Sequence, residues 1–374
     1  MVVRKSKKIV VRKIVPKRIT GSSKLRAKFP ETKEKKSTHG VLERFELNPI
    51  ISPSEEKHWE SKATFNPSAI FGDGKIHLIY RAIGNNDISV FGYATSKNGF
   101  TIDKRGAHPA YFQKKSLLRT TMDLPISYSS GGGWNGGTED PRLTLVGNKV
   151  YMLYTSFDGW NSIRIAMTYI SFEDFVSERW NWSPYVFISP PNEIHKNWVL
   201  FPEKINGKYA ILHGISPSIL VHYVDDLDEF DGETFIISSP PRGGRTGSWD
   251  SWLRGVGPSP IKTKDGWLVL YHAMDINDPN RYKLGAMLLD LKDPTKINAV
   301  SKQPILEPDE SYENEGFKAG VVYACGAVVV DGWLFVYYGG ADKVVCVATI
   351  KLDLFLKSLM SKGSTKLVRQ LVVK

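Results

Sequence analysis

Cysteine occurs only twice in 374 residues, at Cys325 and Cys346. Two thiols cannot make the disulfide framework of a small secreted domain, and they fit a reducing compartment. No histidine or cysteine cluster surrounds them, so no structural zinc site is expected. No run reaches about 18 consecutive apolar residues, which excludes a membrane-spanning helix. The N-terminus shows no apolar core followed by a small-residue cleavage site, so no signal peptide is expected and the protein reads as cytoplasmic. The sequon Asn181-Trp182-Ser183 then carries no meaning. Helix signals are scarce: a turn near Phe172–Phe175 and the stretch Leu352–Met360.

The net charge is +11, which would suit a nucleic-acid partner if it were spread over the body. It is not. Residues 1–40 hold fourteen Lys and Arg against Glu31 and Glu34, which leaves the rest of the chain at −1. Residues 1–40 therefore read as a basic, disordered extension, and residues 41–374 as the folded domain. The extension has no aromatic residue before Phe29, so base stacking there is not expected. An acidic partner, RNA included, could meet only this extension.

Hydrophobic residues make up 41% and aromatics 11%, enough for a large core, and their pattern repeats. A short apolar strand, a Gly-containing turn and a second strand ending in Tyr or His recur five times, as 69–80, 143–154, 203–213, 260–271 and 327–337. Asp73-Gly74, Asn206-Gly207, Asp265-Gly266 and Asp331-Gly332 supply the positive φ of tight hairpins. A third strand follows each hairpin, such as 90–95, 164–168, 284–289 and 344–349. The turn glycines at 74, 147, 207, 266 and 332 lie 59 to 73 residues apart. Units of that length with three or four strands are propeller blades. The expected fold is all-β, a five-bladed β-propeller.

In a propeller the ends of the inner strands face the central channel. Polar residues gather at those points: Asn66 and Ser68 before the first hairpin and Arg81 after it; Asp140 and Arg142 before the second and Asp158 after it. Lys196 precedes the third, Tyr271 and His272 close the fourth, and Asp342 follows the fifth. A ring of carboxylates, cations and aromatics is suited to a sugar. Taken singly each residue has a plainer role: Asp140 before Pro141 as a turn residue, Arg142 as a partner of Glu139 or Asp140, His272 as a core histidine. Their shared placement in each repeat favours the ring. The run Ser129–Gly137 has no Lys-Ser/Thr ending, so it reads as a loop over the site rather than a nucleotide P-loop.

The motifs Phe65-Asn-Pro-Ser68, Tyr80-Arg-Ala82, Gly137-Thr-Glu-Asp-Pro-Arg142, Leu200-Phe-Pro-Glu-Lys204, Gly257-Pro-Ser-Pro-Ile261 and Tyr338-Gly-Gly-Ala-Asp342 resemble those of glycoside hydrolase family 130. The likeness spans about residues 42–356. That family contains β-mannoside phosphorylases and β-1,2-mannosidases. The resemblance implies an inverting mechanism whose single acid is Asp140, passing its proton through a sugar hydroxyl to the leaving oxygen. Inorganic phosphate is then the co-substrate and α-mannose 1-phosphate the product, with no other cofactor and no metal. A β-linked manno-oligosaccharide or mannosyl-glucose is the implied partner, and a homo-oligomer stays open.

The alternative in the family is hydrolysis. Phosphate needs Arg and Lys donors, whereas water needs a carboxylate base about 6.5–9.5 Å from the acid. Lys196 matches the family's phosphate-site lysine, with Arg164 and Arg81 as further cations. Arg254 stands where the family's hydrolases carry a glutamate, and this favours phosphorolysis. Two departures stand out: Asp158-Gly159-Trp160 in place of an Arg-Asn pair, and the Arg242-Gly-Gly-Arg245 insertion.

Overall fold

A computed structural model describes residues 41–113, 136–157, 163–239 and 243–362. The basic segment 1–40, Asp158, Arg242 and most of the run 129–137 lie outside the described residues.

The described chain is mostly antiparallel strand. Ala63–Gly72, Lys75–Ile83 and Ser89–Ser96 form a first meander, edged by Lys104–Arg105. Gly137–Val146, Lys149–Phe157, Ile163–Ser171 and Val186–Phe187 form a second. Val199–Leu200, Tyr209–Gly214 and Leu220–Val224 make a smaller third. Trp252–Val256, Trp267–Asp275, Asp278–Leu289 and Ile297–Val300 make a fourth. The last, Val322–Val330, Trp333–Gly340 and Val344–Lys351, takes Glu43–Arg44 from the other end of the described chain as its outer strand.

At the third and fifth hairpins the turns take the positive φ that the sequence predicts, whereas Asp265 of the fourth does not. Asp331 and Gly332 have φ of 48° and 79°, and Asn206 and Gly207 have 51° and 85°. Two hairpins differ in their first strand. In the third meander Tyr209–Gly214 pairs with Val199–Leu200, not with the segment that begins at Glu203. In the fourth, Trp267–Asp275 takes both Trp252–Val256 and Ile261–Lys262 as partners. Pro258 and Pro260 interrupt the partner strand there, because proline cannot donate to a ladder.

The middle strands are apolar on both faces because each sheet is covered on both sides. Leu78 and Tyr80 pack with Val328, Phe335 and Val345, joining first and last meanders. Ile79 and Phe91 pack with Val150 and Met152 of the second. Leu153 and Ile165 meet Leu200 and Ile211 of the third, and Val199 and Ala210 meet Val269 and Met287 of the fourth. Leu268 and Leu284 meet Val336 and Ala348, joining the fourth meander to the last. Helices are few: Phe172–Val176, Ser311–Asn314 and Leu352–Lys362. Among the described residues no helix is long and apolar enough to cross a membrane.

Candidate active site

The first strands of the first two meanders carry the same irregularity. Opposite Tyr80, the first strand places two residues, Asn66 and Pro67, where one would fit. Opposite Tyr154, the second places Asp140 and Pro141. These are β-bulges, which bend a strand and re-aim a side chain. Proline is tolerated there because no ladder bond is asked of it. Asn66 has φ of 46° and Asp140 of 53°, a region that Asn and Asp enter more readily than most residues.

The bulges bring their side chains together. Asn66 Nδ2 donates to Asp140 Oδ1 at 2.8 Å. Arg81 Nη1 lies 3.5 Å from the same oxygen. Burial alone would raise the Asp140 carboxyl, but Arg81, Lys196, Arg142 and the Asn66 hydrogen bond hold it below the usual carboxylate range. Behind it sits Glu139, fully buried, with one oxygen accepting from Arg81 Nη2 at 2.8 Å and the other from Lys196 Nζ at 2.9 Å.

Arg142 does different work from the contact with substrate expected of it. Its donors go to the carbonyls of Gly257 (2.9 Å) and Asp140 (2.7 Å) and to Asn197 Oδ1 (2.7 Å). The guanidinium thus ties the Asp140 backbone to two other meanders. Tyr323 donates to the same Asn197 oxygen at 2.6 Å.

A third carboxyl completes the cluster. Asp342, with φ of 52°, is buried. Burial pushes its carboxyl up against the pull of Lys318 and Arg81, and Asp140 and Glu139 reinforce the rise.

The remaining candidates divide. Tyr271 and His272 are neighbours on a strand and so point to opposite faces. Tyr271 lies in the core with its hydroxyl on Asp250 at 2.8 Å, so it does not face Asp140. His272 lies on the Asp140 side but is fully buried, stacked on Tyr323 at 3.9 Å between centroids. Its Nε2 accepts from Ala324 N–H, and burial, helped by Arg142, lowers its pKa to about 3. Ser68 accepts from Leu143 N–H at 2.8 Å and stitches the first strands of the first two meanders together. Arg164 donates to the Ser189 carbonyl and stacks on Phe187, and burial lowers it to about 10. Arg254 stacks on Trp252 and donates to the Tyr282 hydroxyl at 2.6 Å. Asp158 lies outside the described residues. Lys196 also lines a small cleft with His195, Trp198, His213, Gly214 and Ser239.

The family model described as beta-1,4-mannooligosaccharide phosphorylase matches residues 32–361. The chain belongs to glycoside hydrolase family 130. Among curated relatives, a 1,2-beta-oligomannan phosphorylase of Thermoanaerobacter sp. (strain X514) is 37% identical and covers 83% of this chain and 97% of its own. A beta-1,2-mannobiose phosphorylase of the same strain is 38% identical over 83% and 98%. The solved structure of beta-1,2-mannobiose phosphorylase from Listeria innocua, in complex with β-1,2-mannobiose, superposes with a TM-score of 0.66 at 26% identity, over 86% and 99% of the two chains.

Within this family-130 site, sequence reading missed Glu139, Asn197, Tyr323 and Lys318. Asn197 was within reach, since it sits beside Lys196 at the entry to the third unit as Asn66 does to the first. Gly339 is a further silent participant: a Cβ there would overlap Asn66 Oδ1 and stand 2.8 Å from Asn66 N. Gly339→Ala is expected to lower kcat about 10- to 100-fold by displacing Asn66 from Asp140. Steady-state kinetics beside a melting curve tests this, and full activity in a folded variant would show that Asn66 does not position the acid.

Proposed function

We propose that this enzyme is an inverting β-mannoside phosphorylase, built as a five-bladed propeller over residues 41–374, with Asp140 as the proton donor. The ring of pairwise packing from first to last meander, and the outer strand Glu43–Arg44 on the last, support the blade count. The bulged inner strands then face one channel.

In the reaction a phosphate oxygen bonds to the anomeric carbon as the bond from that carbon to the leaving oxygen breaks. The proton of Asp140 goes to that oxygen through a sugar hydroxyl. The products are α-mannose 1-phosphate and a sugar one residue shorter. The same-strain relatives are named for β-1,2-linked substrates, and we assign this chain a β-1,2-mannoside.

The observation that carries the reading is the charge around Asp140. Three cations act on it. Of the carboxyls that share its surroundings, Glu139 is tied to Arg81 and Lys196, and Asp342 is buried and pushed towards its neutral form. Glu139 is therefore not free to serve as the base that a water nucleophile requires, and the three cations around Asp140 suit a phosphate dianion instead. The cations also explain how Asp140 becomes an acid. A phosphate dianion beside Lys196 offsets their charge, which raises Asp140 towards protonation. The nucleophile arms the acid. Lys196, Arg81 and Arg254 are the phosphate-side cations, and Asp342 and Asn66 face the sugar. Arg142, Ser68, Tyr271 and His272 serve as framework.

Purified enzyme with β-1,2-mannobiose is expected to release mannose 1-phosphate only when inorganic phosphate is present, and to leave β-1,4-mannobiose nearly untouched. Equal release of free mannose with and without phosphate would replace this reading with hydrolysis.

A further inference from the structure

Glu139 has no part in the reaction as drawn, yet it is among the most deeply placed charges in the molecule. Its side chain is fully buried, and its two oxygens take separate cations from separate meanders. Arg81 is itself buried, its Nε bound to Ser89 Oγ at 2.9 Å and its ring-facing side 4.8 Å from Phe65. Lys196 is partly exposed, at 16%, and so keeps donors for a ligand. We propose that Glu139 is a positioning residue, whose carboxylate fixes Arg81 and Lys196 beside Asp140 and thereby sets both the hold on phosphate and the field at the acid. This rests on the phosphorolysis reading above.

The groups acting on Asp140 come from several elements. Arg81, Arg142 and Lys196 carry positive charge, and Glu139 and Asp342 oppose them. His272, Tyr323 and Cys325 also adjoin it but stay neutral, since burial lowers the first and raises the other two. Removing Glu139's charge therefore leaves the cations less balanced and favours the Asp140 carboxylate. The acid must hold a proton to act, so activity falls as pH rises through its pKa. A lower pKa moves that falling limb to lower pH.

Two variants separate charge from reach. Glu139→Gln keeps the length and loses the charge. Its falling limb in kcat, at saturating phosphate and mannoside, is expected about one pH unit below that of wild type. Glu139→Asp keeps the charge but is one methylene too short to span both cations. Its KM for inorganic phosphate is expected to rise about tenfold, with the mannoside KM changed far less and no acid shift of the limb. A merely structural residue would lower stability and kcat while moving neither quantity selectively. A folded Glu139→Gln with the wild-type limb, or a Glu139→Asp with the wild-type phosphate KM, overturns the proposal. If Glu139→Gln fails to fold, Glu139→Asp decides alone. Wild-type turnover that ignores phosphate would sink the phosphorolysis reading and this inference together; a phosphate-dependent wild type with unmoved variants sinks only this one.

Discussion

Asp140→Asn is expected to lower kcat on β-1,2-mannobiose about a thousandfold or more, with a melting temperature close to that of wild type. General acid catalysis contributes about 10²–10⁴-fold, and a poor sugar leaving group sits at the upper end. The fold should survive because asparagine replaces every static role of the aspartate. It accepts from Asn66 Nδ2 through Oδ1 as before, and it tolerates the φ of 53°. Arg81 keeps its bond to Glu139, so no buried cation is orphaned. Alanine is a poorer choice, since it adds backbone strain of about 1 kcal/mol or more at that φ and confuses the two effects. An aryl β-mannoside with an acidic phenol needs little proton help, so it should recover much of the lost rate. Asp140→Asn that keeps a tenth of the activity on mannobiose, or an aryl substrate equally impaired, would remove Asp140 from the acid role.

That Asp140 could be singled out in sequence, while Glu139 beside it could not, has a physical cause. On a regular strand neighbours face opposite ways, so an Asp in the site should send the preceding Glu elsewhere. The bulge breaks the alternation, and Glu139 and Asp140 both reach Arg81. The signal was there: a proline inside an apolar strand, preceded by Asn or Asp, in Asn66-Pro67 and again in Asp140-Pro141. Where alternation holds, it corrects the sequence reading, as it does for Tyr271 and His272. The hairpins were legible because Asp-Gly and Asn-Gly turns act locally. The partners of Arg142 were not, because Asn197 and Gly257 lie 55 and 115 residues away. No local rule assigns one arginine to a ligand and another to three strands of its own fold.

The same distance problem hides a buried ion pair on which stability depends. Glu313→Ala is expected to destabilise the fold by about 3–5 kcal/mol, the range for removing one partner of a buried ion pair. Glu313 is fully buried and accepts from Arg44 Nε at 2.8 Å and Nη2 at 2.9 Å, from the Tyr338 hydroxyl at 2.8 Å, and from the backbone N–H of Asp309 and Glu310. It holds Arg44 of the outer strand against the last meander, where Glu43 and Arg44 pair with Thr349 and Ala348. It also closes the capping box of Ser311–Asn314. Alanine would strand the Arg44 charge and the buried Tyr338 hydroxyl together, and each costs most when left unmatched. The strand it anchors joins residues some 300 positions apart, so its release should open the sheet rather than fray a loop. Arg179, half exposed beside Glu173 and Asp174, is the control: its replacement should leave the midpoint nearly unchanged, because solvent already screens that pair. Urea unfolding of the two variants, with Arg44→Met and the Arg44→Met/Glu313→Ala double variant to complete the cycle, measures the coupling directly. A double variant no less stable than Arg44→Met would place the lost energy in that one pair. Additive losses would instead place it in Tyr338 and the cap.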